Sequence, residues 1–308
     1  METILAITLP FFALVLTGFW AGRRNFLTEA GITGLTRFVF YFALPAMLFV
    51  TLATSDITRD WNPAFIAAYL AASLVVFAAW AVVSRRVFAA SFAEGAMMGL
   101  GAVYGNIGFM GIPLLVTALG AKAALPLALI LTIDLIVIVP LGMLLVEVGE
   151  GSRAGVAHVL EAIWRTLTRN PLVIAIFAGL ALSALDVGLF GPIEAFSRLL
   201  GGAAAPAAMF TLGAALSRRP VSEGIGEAAF MAAGKLVVHP LAVWAAMVAA
   251  GVSAFWMKTA VLGAAMPVAA ALFVVAQQYG VLPGRTSTAI LISTAVAMAT
   301  LTALLVIF

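Results

Sequence analysis

Long apolar runs alternate with short polar connections along the whole chain. A helix needs about 20 apolar residues to cross the hydrocarbon of a bilayer. Runs of that length are numbered here as predicted spans 1 to 10; they cover residues 3–21, 32–54, 63–83, 93–118, 122–147, 171–189, 192–217, 227–250, 256–280 and 286–307. The pattern predicts an all-α integral membrane protein with ten transmembrane helices.

The longest polar interval, residues 149–170, lies between spans 5 and 6 and divides the chain into two halves, residues 1–148 and 171–308. Each half then holds five predicted spans. Within this linker four apolar residues can share one helix face: Val159, Ile163, Trp164 and Leu167. The linker is therefore either a short amphipathic helix at the membrane surface or a plain solvated loop.

Basic residues cluster in the connections that follow odd-numbered spans. Those connections carry Arg23, Arg24, Arg85, Arg86, Arg153, Arg165, Arg169, Arg218, Arg219 and Arg285, whereas the others carry Arg59, Lys122, Arg198 and Lys258. Cytoplasmic loops are enriched in arginine and lysine. The bias predicts that odd-numbered connections are cytoplasmic and that both termini lie outside. Because each half has an odd number of spans, the halves are predicted to have opposite orientations.

Two pairs of similar segments occur in the same order in the two halves. ALPAMLF at 43–49 in span 2 resembles AAPAAMF at 204–210 in span 7. GNIGFMGIPLL at 105–115 in span 4 resembles GAAMPVAAALF at 263–273 in span 9. Together with the opposite orientations, these matches predict an inverted repeat.

Prolines near the centres of spans 4 and 9 predict that both helices are broken. Proline lacks an N–H and collides with the carbonyl four residues back, so Pro113 frees the carbonyl of Phe109 and Pro267 frees that of Gly263. In lipid, irregular backbone survives only inside protein or beside a water-filled cavity. We therefore expect the two breaks to meet near the midplane, where helix N-termini offer free N–H groups to an anion.

Composition narrows the classes of function. The chain has 308 residues, of which 64% are hydrophobic and 9% charged, with no cysteine. Disulfides, thiolate metal sites and cysteine nucleophiles are thus excluded. The formal charge is +3, and the basic residues are spread along the chain. Membrane topology explains their placement better than a nucleic-acid-binding face does. HExxH and GxSxG motifs are absent, and Asp134 is the only acid predicted clearly inside the membrane, so an enzyme is not expected.

Four stretches of the chain form recognisable motifs: FYFALPAMLF, GNIGFMGIPLLVTALG, KLVVHPLAVW and MPVAAALFVVAQQYGVLPGRTSTA. At these stretches the chain resembles the auxin efflux carrier family, which includes plant PIN auxin carriers and bacterial malonate and malate permeases within the bile-acid and auxin transporter group. The resemblance implies two inverted five-helix repeats, crossing helices 4 and 9, a homodimer and an elevator-type movement. It assigns 1–54 and 171–217 to a scaffold domain and 62–148 and 226–308 to a transport domain.

The predicted substrate site centres on the two crossing segments, and the resemblance implies that the asparagine in GNIGF contacts a substrate carboxylate. The candidate substrate-binding residues are Gly105, Asn106, Gly108, Ile112, Pro113, Lys235, Pro267 and Val268. The alternative for Asn106 is that its side chain bonds to backbone groups freed by the break. No catalytic or metal-binding residue is predicted.

Four residues are candidates for coupling to H+ or Na+: Asp134, Lys235, His239 and Gln277. A carboxylate at the depth of Asp134 costs on the order of 3 kcal/mol unless it is paired or protonated. It is a proton carrier, a cation ligand or a static partner of a base. Lys235 attracts an anion, pairs with Asp134 or releases a proton. His239 shares a helix face with Lys235 and is either a relay or a packing residue.

These features predict a transporter of small organic anions, carboxylates such as malonate, malate or auxin-like acids, in a bacterial inner membrane. Its predicted partners are the substrate, membrane lipid and a second copy of the chain, without nucleic acid or a cofactor. The alternative is a channel or a non-transporting sensor of the same fold.

Overall fold

The computed structural model describes residues 2–55, 62–151, 155–219 and 224–307, without the side chains of 2–8 and 155–159. The described residues are helical and form no strand. The α-helices are α1 Glu2–Arg23, α2 Glu29–Phe38, α3 Leu44–Ala53, α4 Pro63–Val87, α5 Phe92–Val103, α6 Ile112–Leu119, α7 Ala124–Ile133, α8 Val139–Gly149, α9 Gly155–Arg169, α10 Pro171–Ala184, α11 Gly191–Gly202, α12 Ala204–Leu216, α13 Ile225–Ala233, α14 His239–Ala249, α15 Ala254–Ala264, α16 Leu272–Tyr279 and α17 Pro283–Ile307.

Six helical segments in the described part of the chain are long and apolar enough to cross a membrane, and a bent pair, Leu160–Arg169 with Pro171–Ala184, makes a seventh if it is one span. Their large apolar side chains are often exposed, as at Val75, Leu241 and Val296. Such surfaces are stable against lipid rather than water. The prediction of an all-α multi-pass membrane protein is confirmed, and the arrangement of ten spans in inverted repeats stays a prediction.

Four five-residue π-helical segments interrupt the α-helices, and each is followed by a proline at the second position of the next α-helix. They are Val39–Ala43 before Pro45, Ile107–Gly111 before Pro113, Asp134–Ile138 before Pro140, and Gly234–Val238 before Pro240. The wider turn carries the chain past a residue that has no N–H and whose ring would strike a carbonyl. Local sequence therefore widens the two helices that carry Asp134 and Lys235.

Helix ends follow ordinary capping chemistry. Ser91 begins α5 with a capping box, because its hydroxyl accepts the Glu94 N–H while the Glu94 carboxylate accepts the Ser91 N–H. Asn170 caps α10 and precedes Pro171 at the first helical position. Hydropathy alone extends span 6 to residue 189, but α10 ends at Ala184.

The helices group into two compact units. Unit 1 comprises residues 1–62, 108–129 and 167–218, and unit 2 comprises 63–107, 130–166 and 219–308. Their roles as scaffold and transport domains stay a prediction.

In unit 1, α1 packs along α12 at very close range. A Cβ on Gly18 would overlap the carbonyl of Phe210, and one on Gly213 would overlap the carbonyl of Val15. Small residues allow membrane helices to approach in this way, because little hydrophobic force drives them together in lipid. The two glycines therefore define this helix pair.

In unit 2, α4 and α5 pack with similar closeness. A Cβ on Gly99 would lie 2.7 Å from the Phe77 carbonyl oxygen. At the start of α17, the Arg285 guanidinium lies 3.3 Å from carboxylate oxygens of both Glu94 and Glu227. The guanidinium thus connects the first turns of α5 and α13 to α17.

The linker contains a helix rather than a plain loop, since α9 covers Gly155–Arg169. Leu160 and Trp164 on this helix are exposed, and Arg165 pairs with Glu161 four residues earlier. The side chain of Val159 lies outside the described residues, as do Arg59 and Arg153 of the charge pattern. The position of α9 at a membrane surface stays a prediction.

Candidate functional site

Two helix interruptions in unit 2 meet through their main chains. α5 ends at Val103 and α15 ends at Ala264, and non-helical residues follow each. The Asn106 N–H donates to the Pro267 carbonyl at 2.8 Å, and the Ala269 N–H donates to the Tyr104 carbonyl at 3.0 Å.

These two bonds flank an antiparallel bridge between Gly105 and Val268. We call the two facing segments, residues 104–106 and 265–271, the crossing. Gly105 and Val268 exchange no hydrogen bond with each other. Opposed pairs of this kind have the shortest distance between the two strands' Cα atoms. The crossing satisfies backbone groups that lipid could not satisfy.

The first break lies earlier in the chain than predicted. Its non-helical residues are 104–106, whereas Pro113 is the second residue of α6. A proline there is compatible with a helix, since N–H groups in the first turn have no intrahelical acceptor. The prediction that Pro113 makes the break is therefore wrong. Pro267 does lie within the second break, residues 265–271.

Three N–H groups of the two breaks are already bonded. The N–H groups of Asn106 and Ala269 are used in the crossing, and that of Val268 donates to the Ser293 hydroxyl at 3.1 Å. These three groups are not free to bind an anion, and anion binding by the N–H groups at the helix starts that follow the breaks stays a prediction. At these residues a ligand would be bound by side chains, such as that of Asn106, which is 5% exposed.

Lys235 brings a buried amine to the crossing. Its side chain is fully buried, and its Nζ donates to the carbonyl of Ala264, the last residue of α15. A Cβ at position 105 would lie 2.9 Å from the Lys235 Cε. Glycine at this position therefore leaves the room in which the lysine lies.

His239 continues a chain of polar contacts from Lys235. The two residues are one helical turn apart, with 3.0 Å between the Lys235 Nζ and the His239 Nδ1, and the His239 Nε2 lies 2.9 Å from the Ser73 hydroxyl. An ammonium group has donors only. With Lys235 charged, Nδ1 therefore accepts and Nε2–H donates to Ser73.

Asp134 is also buried, in the π-helical segment after α7. Its Oδ1 accepts a bond from the Tyr69 hydroxyl at 3.3 Å, and its Oδ2 has no hydrogen-bond partner among the described residues. Tyr69 also packs edge-on against His239, with ring centroids 5.8 Å apart. A buried oxygen without a donor is costly.

Of the alternatives for Lys235, direct pairing with Asp134 is not observed, because the ion pairs within 4.0 Å among described residues do not include these two. The two residues are linked through others: Asp134 bonds to Tyr69, the Tyr69 ring packs against His239, and His239 contacts Lys235. We call Asp134, Tyr69, His239, Ser73 and Lys235 the polar cluster.

The remaining predicted residues lie elsewhere. Gly108 is half-buried in the π-helical segment Ile107–Gly111, and Ile112 and Pro113 are buried at the start of α6; all three belong to unit 1. Gln277 is exposed on α16 and takes no part in the hydrogen bonds of the polar cluster. The structure thus does not bring Gln277 to the other coupling candidates.

Sequence reasoning missed several polar residues that the fold brings inside. Tyr69 and Ser73 are four residues apart in an apolar span, a spacing that could have indicated a shared buried face. Glu147 near the end of α8 is 4% exposed and accepts a bond from the Tyr279 hydroxyl at 2.7 Å. Glu147 is thus a second buried acid among the described residues, at the end of predicted span 5.

The part of the chain that the structure describes contains no group of three or more His, Cys, Asp or Glu side chains able to hold a metal ion. The chemistry of the polar cluster is instead that of single proton donors and acceptors.

Comparison with known proteins decides the family. A sequence model described as "Membrane transport protein" matches residues 3–305, almost the whole chain. The chain belongs to the membrane transport protein family. This is the auxin efflux carrier family that the four stretches resemble. The protein is a membrane transporter and not an enzyme.

Three similar proteins illustrate the range of relatives. A protein of Rhizobium meliloti (strain 1021) named "Putative malonate transporter" is 33% identical, with 99% of this chain and 96% of the relative covered. "Auxin efflux carrier component 1" of Arabidopsis thaliana is 32% identical over 46% of this chain and 24% of the relative. The mouse "Lysosomal cholesterol signaling protein" is 27% identical over 75% of this chain and 28% of the relative.

Proposed function

We propose that this transporter carries small carboxylate anions, such as malonate, malate or auxin-like acids, across the bacterial inner membrane. The observation that supports this best is the fully buried amine of Lys235 against Gly105 of the crossing. A buried cation needs a counter-charge, and a substrate carboxylate provides one. The names of the malonate and auxin relatives agree with this class of substrate.

The proposed binding residues are those whose side chains or backbone flank the crossing. Asn106 donates from its amide to a carboxylate, while Lys235 contributes positive charge. Val268 and Pro267 of the second break contribute apolar surface for the rest of the substrate. Gly105 has no side chain, so the Lys235 amine can lie close to the backbone of the first break.

Asp134 is the proposed site of coupling. Its Oδ2 accepts H+ or Na+ without displacing a donor of the described part of the chain, because none there is bonded to it. Lys235 and His239 transmit the change of charge towards the crossing. With the cell interior negative, each imported negative charge costs about 2.3 kcal/mol per 100 mV. Import of a dicarboxylate against that potential therefore needs two co-transported cations for electroneutrality.

The proposed movement is an elevator in a homodimer built from two inverted five-helix repeats, with both termini outside. The symmetric interruptions of spans 4 and 9, at 104–106 and 265–271, support the repeat. Broken helices that hold a substrate near the midplane are typical of transporters built this way.

Uptake of labelled malonate, malate and indole acetate into proteoliposomes tests the proposal, with protein-free liposomes as control. We expect saturable uptake of at least one carboxylate and counterflow by the unlabelled compound. A flux that rises linearly with concentration would indicate a channel. A ligand that raises the melting temperature without any flux would indicate a sensor. Repeating the assay at two pH values, with and without Na+, identifies the coupling ion.

A further inference from the structure

Arg219, just after α12, reaches the second break from outside the polar cluster. Its guanidinium carbon lies 4.6 Å from the centroid of the Phe273 ring, and its Nη2 donates to the Ala270 carbonyl at 3.4 Å. Its Nη1 is buried and has no hydrogen-bond partner among the described residues. The guanidinium is thus fixed on two sides and has an unused donor on a third.

The charge of Arg219 is not balanced by a described carboxylate. None of the ion pairs within 4.0 Å among the described residues involves it. Burial lowers the pKa of the Arg219 guanidinium, because a charge is less well solvated there. A buried donor without an acceptor costs free energy, and an arginine fork is suited to binding a carboxylate with two bonds.

Two cationic side chains donate to backbone carbonyls near the two ends of the irregular segment 265–271. Lys235 donates to the carbonyl of Ala264 immediately before the segment, and Arg219 donates to the carbonyl of Ala270 near its end. The intervening residues include Pro267 and Val268 of the crossing. One segment of backbone thus has a positive charge at each end.

We propose that Arg219 is a second anion subsite, which binds a carboxylate group of the transported substrate at the α16 end of the crossing. The inference deepens the proposed function and rests on it. A dicarboxylate is recognised by both cations, one after the other or together, whereas a monocarboxylate uses one. Arg219 therefore favours dicarboxylates over monocarboxylates of similar size.

The test compares Arg219→Gln with Arg218→Gln. Arg218 is the adjacent residue and donates to the exposed carbonyl of Leu27, so its variant removes the same charge from a different contact. Binding of malonate and propionate to the purified full-length protein is measured by calorimetry. We expect Arg219→Gln to raise the Kd for malonate about tenfold or more, as for a lost hydrogen bond between charged groups. The Kd for propionate should change less than about threefold on the same scale.

The melting temperature without ligand separates recognition from a structural role. If Arg219→Gln lowers that temperature and leaves both Kd values unchanged, Arg219 only holds Phe273 and Ala270 in place, and the inference is wrong. The same holds if both Kd values rise equally, or if Arg218→Gln has the same effect on malonate.

A second variant covers the case in which Arg219→Gln does not fold. Arg219→Lys keeps the charge but loses the fork, so malonate Kd should rise severalfold while propionate Kd stays constant. An unchanged malonate Kd in Arg219→Lys would then overturn the inference. If the unmodified protein binds no carboxylate at all, the proposed function fails. If that protein transports malonate and Arg219 variants bind it normally, only the subsite fails.

Discussion

Lys235 and Asp134 are the two buried ionisable residues on which the proposed function most depends. Each lies in a π-helical segment. Among the described residues, one oxygen of the Asp134 carboxylate has no donor, and the Lys235 amine has no carboxylate within 4.0 Å. Residues paired directly would neutralise each other. Separated by Tyr69 and His239, they can respond to different ligands.

The Lys235→Ala substitution should weaken carboxylate binding much more than folding. Loss of a charge-assisted contact raises Kd about tenfold or more. Removal of a buried charge offsets part of the stability lost with the Ala264 contact. Calorimetry with the best carboxylate and the melting temperature of the ligand-free protein check both halves of this prediction.

Lys122→Ala is the matched control, because Lys122 is an exposed lysine in a 3₁₀ turn. It should leave both quantities unchanged. A Lys235→Ala protein with a normal melting temperature and an unchanged Kd would remove Lys235 from the site.

At the residue scale, sequence predicts contacts that a helix imposes. Lys235 and His239 are four residues apart, and their side chains meet as the helical period requires. The contact between Tyr69 and Asp134 joins residues 65 positions apart and depends on how helices pack, which the local pattern does not contain. Glu147 was missed for a related reason, since hydropathy places it at a span end while α16 covers it through Tyr279.

At the scale of elements, proline has two different effects in this chain. Where a π-helical segment precedes it, as before Pro140 and Pro240, the helix continues. At Pro267 the helix stops. Each apolar run could be located from hydropathy, but the effect of its proline could not, because the outcome depends on whether neighbouring backbone can absorb an extra residue.

The pair α1 and α12 provides a stability test at this scale. Gly18→Ala should destabilise unit 1 by about 1–3 kcal/mol, since the new methyl group meets the backbone carbonyl of Phe210, which cannot rotate away. Gly34→Ala is the control, because no atom lies within 4 Å of its added Cβ and helical alanine is favoured over glycine by about 0.5–1 kcal/mol. The measurement is the melting temperature in detergent. Equal shifts in both variants would show that close packing of α1 and α12 does not matter.

For the whole molecule, the distribution of arginine predicts orientation, and the absence of cysteine makes it simple to test. Val87 at the end of α4 is 62% exposed, and Gly188 between α10 and α11 has no atom within 4 Å of its added Cβ. In intact cells an impermeant thiol reagent should label Gly188→Cys but not Val87→Cys. After permeabilisation it should label both. The reverse pattern would contradict external termini.

The class of fold was predictable at this scale because ten apolar runs in 308 residues leave lipid as the solvent. Residues 108–129 group with unit 1, although they follow the break within one predicted span. No apolar pattern marks that division, because both sides of Ile107 are equally hydrophobic. It follows from which helices each side touches.

The main-chain bonds at the crossing have an evolutionary consequence. Tyr104, Asn106, Pro267 and Ala269 hold the two interruptions together through peptide groups, which nearly every amino acid supplies. Relatives can therefore differ in the side chains around the proposed substrate site while keeping the same main-chain bonds. Gly105 is the exception, since any larger residue would displace the neighbouring amine. Relatives that transport different substrates should thus keep a glycine at the position of Gly105.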